Sequence, residues 1–89
     1  MDTALPASVV LRVIKESAML PEGWHINREA KVSVCRAGAI FAVYLAAAAA
    51  DVCRDGKRST LSAADVLRAL EDVDLREFVE PLQRDLQCA

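Results

Sequence analysis

Residues 37–50 read AGAIFAVYLAAAAA, an uncharged run that Arg36 precedes and Asp51 follows. A helix over this run is apolar on every side, and such a helix needs a large core, a bilayer or a partner. The run is shorter than the roughly 20 residues that span a bilayer. A chain of 89 residues has little else with which to cover it. We therefore predict a helical subunit whose central helix is completed by another chain.

The composition predicts a single domain, residues 1–89, in a reducing compartment. Domains of this size bury only about 60 to 65% of their unfolded surface, so association would add stability. Cys35, Cys53 and Cys88 are an odd number without CxxC spacing, and we expect no signal peptide. We expect the cysteines to be small core residues without redox function.

Charge is distributed unevenly along the chain. The formal net charge is -2. Residues 1–60 carry eight Lys and Arg against six Asp and Glu, whereas residues 61–89 carry three against seven. Any nucleic-acid surface should therefore lie in the first two thirds, and the acidic end should face solvent or a basic protein.

Hydrophobic spacing and end signals predict four helices, at about 6–18, 28–54, 62–73 and 75–87. Pro6 suits a first helical turn, and Asn27 is a good N-cap. Gly56 stands where the long helix should be capped at its C-terminus. Ser62 and Asp65 have the spacing of a capping box at the start of the third helix.

The fourth helix contains a proline. Pro81 removes a backbone donor, so it should bend this helix or confine its start to nearby residues. Residues 20–26 include Pro21 and Gly23, which predict a loop. We expect Trp24 and His25 to pack within this loop. The predicted order is short, long, short, short.

This layout resembles the histone fold, which is all-α with a long central helix between two shorter ones, here followed by an additional C-terminal helix. Residues 56–67, GKRSTLSAADVL, resemble its second loop and third helix. In that family the Arg and the Asp of this stretch pair within one subunit. The resemblance therefore implies a structural clamp between Arg58 and Asp65, whose contact would be charge-assisted.

Longer stretches resemble the histone-fold subunits of DNA polymerase epsilon, which also occur in the chromatin accessibility complex. The matching residues include Leu5-Pro6, Arg36-Ala37 with Phe41, Val43 and Tyr44, Gly56-Lys57-Arg58, Asp65-Val66-Leu67, and Phe78-Val79 with Pro81-Leu82. The related CCAAT-box-binding factor and the negative cofactor of TATA-binding protein share several of them. The Arg-Ala pair before a stretch that contains Tyr44 favours the polymerase type, whereas the first loop is bulkier than the family pattern.

The resemblance implies an obligate heterodimer with a second histone-fold subunit, in which two long helices cross. Alanines let helices approach closely, and larger side chains supply the contacts. The residues we expect at this partner interface are Ile40, Phe41, Tyr44, Leu45 and Ala48. The other interpretation is a monomeric bundle in which the alanine-rich run packs internally.

Basic residues occur where histone-like dimers meet the DNA backbone. The predicted contacts to double-stranded DNA are Arg12, Lys15, Arg28, Lys31, Lys57 and Arg58. Such contacts neutralise phosphates without reading bases, so binding should be weakly sequence-selective and salt-sensitive. For each of them a solvated surface role is an equal alternative, and Arg58 has a competing partner in Asp65.

The function implied is a non-catalytic, nuclear accessory subunit of a polymerase or a chromatin-remodelling complex, with histones as an additional partner. The alternatives are a subunit of a CCAAT-type transcription factor or of the TATA-binding-protein negative cofactor, or a scaffold without DNA contacts. An enzyme is disfavoured, because His25 has no ligand or nucleophile cluster and no Gly-rich phosphate loop is present. No cofactor, metal site or membrane association is expected.

Overall fold

Helices make up the fold of this chain, as the spacing of its apolar residues predicts. The computed structural model describes residues 5–17 and 20–88, and within these the elements are helical. They are α1 (Ala7–Glu16), α2 (Arg28–Asp55), α3 (Ala63–Asp72), a 3-10 turn (Arg76–Phe78) and α4 (Val79–Cys88). The order and lengths agree with the predicted layout. The end predicted for the first helix, at residue 18, lies outside the described residues.

The helix starts follow the polar signals in the sequence. The backbone N–H of Ala30 donates to Oδ1 of Asn27 at 2.8 Å, which makes Asn27 the predicted N-cap of α2. Pro6 immediately precedes α1 instead of occupying its first turn. Pro81 is the third residue of α4, where a missing N–H leaves no helical hydrogen bond unmade. A 3-10 turn precedes α4, so Pro81 confines the start of that helix.

The chain forms two compact units, Met1–Ala42 and Val43–Ala89. In the first unit Cys35 and Ala39 are buried, and the backbone N–H of Leu5 donates to the carbonyl oxygen of Cys35 at 3.4 Å. A Cβ added to Gly38 would lie 2.8 Å from Cδ1 of Leu5, so a glycine lets this side chain lie against the helix.

In the second unit the buried apolar residues are small or aliphatic: Ala49, Cys53, Ala69 and Leu70. Cys35 and Cys53 are buried free thiols, as expected of core residues, whereas Cys88 is exposed. The expectation of one domain over residues 1–89 stays a prediction.

Candidate functional site

The predicted partner interface lies on a part of α2 that the chain itself does not cover. Ile40 is 68% exposed and Tyr44 is 54% exposed, and Phe41 is also exposed. Leu45 and Ala48 are half-buried. Burying large apolar side chains is worth about 1.5 to 3 kcal/mol each, so leaving them in water forgoes that stabilisation.

Most of the alanine-rich run is exposed or half-buried within the described residues. Only Ala39 and Ala49 of residues 37–50 are buried. Val43, which the sequence reasoning did not include in the interface, is 61% exposed. The position of Val43 within the same apolar run could have predicted that it belongs with these residues. We call the exposed residues Ile40, Phe41, Val43 and Tyr44 the apolar face of α2.

By length and average composition α2 could also cross a membrane. Its uncharged portion is only residues 37–50, which is about 21 Å of helix at 1.5 Å per residue. A bilayer core is about 30 Å thick, so charged residues would enter it at both ends. The length of the uncharged run thus favours a protein partner as the cover for this helix.

The second loop, residues 56–62, begins with a Schellman motif at the end of α2. The N–H of Arg58 donates to the carbonyl oxygen of Cys53 at 3.1 Å, and the N–H of Lys57 donates to that of Arg54 at 2.8 Å. The left-handed residue of this motif is Lys57, with φ 57°. Gly56 lies at the predicted cap, but it does not supply the positive φ for which a capping glycine is usually selected.

Gly56 has a different role, which involves the side chain of Arg58. A Cβ at Gly56 would stand 3.1 Å from Nε and 3.3 Å from Nη2 of Arg58. Any larger residue would therefore press on the guanidinium. We infer that the glycine leaves room for the arginine to reach across the loop.

That arginine meets Asp65, and the structure brings the two predicted clamp residues together. Nη1 of Arg58 donates to Oδ2 of Asp65 at 2.9 Å, and Nη2 donates to Oδ1 at 2.5 Å. The Asp65 side chain is only 3% exposed, whereas that of Arg58 is 46% exposed. A bidentate contact of this kind fixes geometry as well as charge.

The same carboxylate also caps α3. The backbone N–H of Ser62 donates to Oδ2 of Asp65 at 2.9 Å, and the N–H of Asp65 donates to Oγ of Ser62 at 3.3 Å. The predicted capping box is thus present, and it shares its carboxylate with the clamp. Hydrogen bonds from Arg58, and then from the Ser62 backbone, hold the pKa of Asp65 well below its usual range. The bonds to Asp65 likewise raise the pKa of Arg58.

The predicted DNA contacts fall in both units. In the first unit Arg12, Lys15 and Arg28 are exposed and Lys31 is half-buried. Within the described residues no carboxylate lies within salt-bridge distance of these four cations. In the second unit Lys57 is exposed, and the two nitrogens of Arg58 that donate to Asp65 leave the rest of its side chain accessible. All six predicted cations are thus at least partly accessible, and among the described residues five of them have no carboxylate at salt-bridge distance.

Arg36 is a further cation that the sequence reasoning missed. It lines one groove of about 370 Å³ together with Arg28 and Lys31, and Val32 and Cys35 are also among the lining residues. Arg28 and Arg36 are eight residues apart on one helix, which places them on the same face. That spacing was the signal available in the sequence.

The loop before α2 contains an exposed tryptophan and a tight turn. Trp24 is 66% exposed, so the expectation that it packs within its loop is wrong. The turn is closed by a backbone hydrogen bond from Trp24 to Pro21 at 3.1 Å, and Gly23 supplies its positive φ of 85°. A Cβ at Gly23 would meet nothing within 4 Å, so the backbone angle alone calls for glycine there.

A match to a known family accounts for this combination of helices and loops. The family described as histone-like transcription factor (CBF/NF-Y) and archaeal histone matches residues 3–70. The chain belongs to this family. Its fold is accordingly the all-α histone fold with an additional C-terminal helix, as predicted. Across the residues that the structure describes, no group of three or more His, Cys, Asp or Glu could hold a metal ion.

Several individual proteins of this family are similar to the chain over most of its length. DNA polymerase epsilon subunit 3 of Rattus norvegicus is 41% identical over 87 residues, which are 98% of this chain and 59% of that protein. The B4 subunit of DNA polymerase II from Arabidopsis thaliana is also 41% identical, over 93% of this chain and 31% of its own length. The B-3 subunit of nuclear transcription factor Y from the same plant is 33% identical over 97% of this chain and 52% of its own length. The chain thus spans about three fifths or less of these relatives.

Proposed function

We propose that this protein is an accessory subunit of DNA polymerase epsilon, of a chromatin-remodelling complex, or of both. In this function it forms an obligate heterodimer with a second histone-fold subunit and binds double-stranded DNA without strong sequence selectivity. It acts in the nucleus and contributes no catalytic group. The polymerase assignment rests on the 41% identity to polymerase epsilon subunit 3 over nearly the whole chain.

The observation that carries the heterodimer is the apolar face of α2. An obligate interface buries more than the roughly 800 Å² per partner of an ordinary complex, and its centre resembles a protein core. Side chains such as Ile40 and Tyr44 offer such a centre, and the alanines between them permit close helix approach. A second histone-fold chain presents a long helix of the same kind, so the two faces would cover each other.

The test of the heterodimer is co-expression with candidate histone-fold partners from the same source, followed by light scattering. We expect a one-to-one complex. Ile40→Glu should abolish it, because a carboxylate would be buried at the helix crossing. Leu86→Glu, which changes a 45% exposed apolar residue of α4, serves as the matched control and should leave the complex intact. A stable, well-folded monomer would contradict the proposal.

The DNA-binding part rests on the cations that have no carboxylate partner among the described residues. Each phosphate that is neutralised releases counterions, so log K should fall with log salt by about 0.9 per contact. We expect Lys57→Gln to weaken duplex binding by the heterodimer and to lower this slope by about 1. Arg84→Gln removes the same charge from the acidic end of the chain and is the control. Salt-insensitive affinity would rule out this mode of binding.

A second candidate function is a subunit of a CCAAT-type transcription factor. The observation in its favour is the 33% identity to the B-3 subunit of nuclear transcription factor Y over 97% of the chain. Base readout would then come from the partner or a third chain. The two functions separate on a CCAAT duplex and a scrambled duplex of equal length. A preference above roughly a hundredfold favours the transcription factor, given usual specificity ratios.

Histones are the additional partner that we propose for the acidic end. Residues 61–89 carry seven Asp and Glu against three Lys and Arg, which suits a basic protein. Titration of the heterodimer with a histone dimer should give binding that Glu77→Gln and Glu80→Gln together weaken. If this double variant bound equally well, the acidic residues would be only a solvated surface.

A further inference from the structure

The first loop contains an exposed aromatic residue that is not among the proposed duplex contacts. Trp24 extends into solvent from a short turn, and its side chain belongs neither to the buried core nor to the apolar face of α2. The turn holds its backbone in place through the Trp24 to Pro21 hydrogen bond and the positive φ of Gly23. An exposed indole on a fixed turn is a flat apolar surface that is ready to stack.

Two lysines stand beside this indole. A small cleft of about 100 Å³ is lined by Trp24 and His25 together with Lys15 from α1 and Lys31 from α2. Leu11, Leu20 and Ile26 complete its lining. The described lining residues include no carboxylate, and neither lysine has a salt-bridge partner among the described residues. The cleft therefore combines a stacking face with two uncompensated positive charges.

The size of the cleft limits what it can take. Small-molecule sites usually enclose about 300 to 1,000 Å³ and cover most of their ligand, which this cleft cannot do. A strand of nucleic acid needs no enclosure, because a base lies flat on an aromatic side chain while its phosphates meet cations nearby. Bases inside a duplex hide their faces in the stack, so the indole can stack only on an unpaired base.

We propose that Trp24, with Lys15 and Lys31, forms a binding site for single-stranded nucleic acid, in which the indole stacks on an unpaired base and the lysines contact the adjoining phosphates. This inference rests on the proposed DNA-binding function and specifies it further. A heterodimer with this site prefers DNA that joins a duplex to a single-stranded extension over a blunt duplex.

The chain supplies its own reporter for the test, because Trp24 is its sole tryptophan. The heterodimer, with any partner tryptophan replaced by phenylalanine, is titrated with a thymidine oligonucleotide while the indole fluorescence is followed. We expect saturable quenching that weakens with salt. Quenching by a blunt duplex of equal length should be small, and a duplex with a single-stranded extension should quench as the oligonucleotide does.

Affinities come from a parallel measurement with labelled DNA. Stacking of one base is worth about 1 to 3 kcal/mol, so Trp24→Ala should weaken binding of the thymidine oligonucleotide about tenfold and blunt duplex binding less than twofold. Phe78→Ala removes another exposed aromatic residue, which does not line this cleft, and should change neither affinity. Lys15→Gln and Lys31→Gln should each lower the affinity for the oligonucleotide and its salt dependence.

Failure of this inference differs from failure of the proposed function. Unchanged oligonucleotide affinity in Trp24→Ala, or absence of quenching at saturation, would overturn the single-strand site while duplex binding persists. Loss of duplex binding with oligonucleotide quenching retained would contradict the duplex function and leave the Trp24 site standing. Lys57→Gln sharpens the distinction, because it should weaken the duplex complex and leave the fluorescence titration unchanged.

Discussion

The loops at the two ends of α2 are held in very different ways. Residues 56–62 are fixed by a Schellman motif, a bidentate ion pair, a capping box and a hydrogen bond from Sγ of Cys53 to the carbonyl oxygen of Thr60 at 3.4 Å. Residues 20–26 have a single turn hydrogen bond and an exposed tryptophan.

The difference indicates that the two loops serve different purposes. In the second loop, polar side chains form hydrogen bonds with one another and with the backbone. They therefore contribute to stability and fix the path of the backbone. In the first loop the tryptophan is 66% exposed, and we propose that its contribution comes from a ligand. Substitutions in the second loop should therefore change unfolding, and substitutions in the first should change binding.

The largest effect on stability is expected from Asp65→Asn. An asparagine amide cannot accept the hydrogen bonds from both Arg58 and Ser62 as the carboxylate does. Because the side chain at position 65 is nearly buried, water would poorly solvate the donors that lose their acceptor. We expect the Tm of the heterodimer, measured at fixed concentration, to fall by about 10 °C. Asp72→Asn is the control, because it breaks an exposed pair with Arg68 at 3.0 Å and should cost about 2 °C or less. Equal losses would show that the second loop is not specially held.

The same carboxylate should give stability an acid dependence. Its pKa lies below the usual value near 4, because Arg58 and the Ser62 backbone favour the ionised form. Its contribution is therefore fully present above about pH 5 and is lost as pH falls through 4 toward the folded pKa. The raised pKa of Arg58 leaves it charged throughout this window. Urea unfolding from pH 7 to 2.5 should show this loss in the native sequence and a smaller one in Asp65→Asn.

Ser62→Ala tests the other half of the capping box. Removing an N-cap hydroxyl typically costs about 1 kcal/mol of unfolding free energy, and we expect that loss here. Ser59→Ala, in the same loop but outside the cap, should change stability by no more than about 0.5 kcal/mol. Chemical denaturation of both variants measures the difference. A loss for Ser59→Ala as large as that for Ser62→Ala would mean that the loop, and not the cap, is sensitive.

Lys57→Gly should change the stability of the protein and its affinity for duplex DNA in opposite directions. A left-handed conformation costs an L-residue about 1 to 2 kcal/mol, and glycine removes this cost. Glycine also makes the unfolded chain more flexible, which lowers stability by roughly 0.5 to 1 kcal/mol. Unfolding free energy should therefore rise by about 0.5 to 1 kcal/mol while duplex affinity falls. Asp74→Gly is a matched control, since Asp74 has φ 68° in a second Schellman motif after α3. It should gain stability without losing DNA affinity.

Local signals in the sequence were sufficient for most of the helix layout. Asn27 and Ser62 are caps because their side chains reach backbone groups three residues away, and such contacts can be predicted from spacing alone. The layout then supported the histone-fold resemblance. The pairing of Arg58 with Asp65 came from that resemblance, since a contact across a loop depends on the path of the chain.

What the sequence did not reveal depends on spatial neighbours. Gly56 looked like the left-handed cap, yet Lys57 takes that conformation and the glycine makes room for the Arg58 guanidinium. Trp24 looked like a packing residue because large aromatics usually are, and only the structure shows its exposure. Exposure of the apolar face of α2 was expected, because a chain of 89 residues has little else with which to cover it.

The smallest effect on stability is expected from Trp24→Ala, and it completes the comparison of the loops. An indole that is 66% exposed makes few contacts to lose, so unfolding free energy should change by no more than about 0.5 kcal/mol. Chemical denaturation of the heterodimer, followed by circular dichroism because the fluorophore is gone, measures the change. A loss of about 2 kcal/mol or more would mean that the tryptophan stabilises its loop as the Arg58 and Asp65 pair stabilises the other. An unchanged stability together with weakened single-strand binding would assign the side chain to a ligand, which is the division between the two loops that the structure indicates.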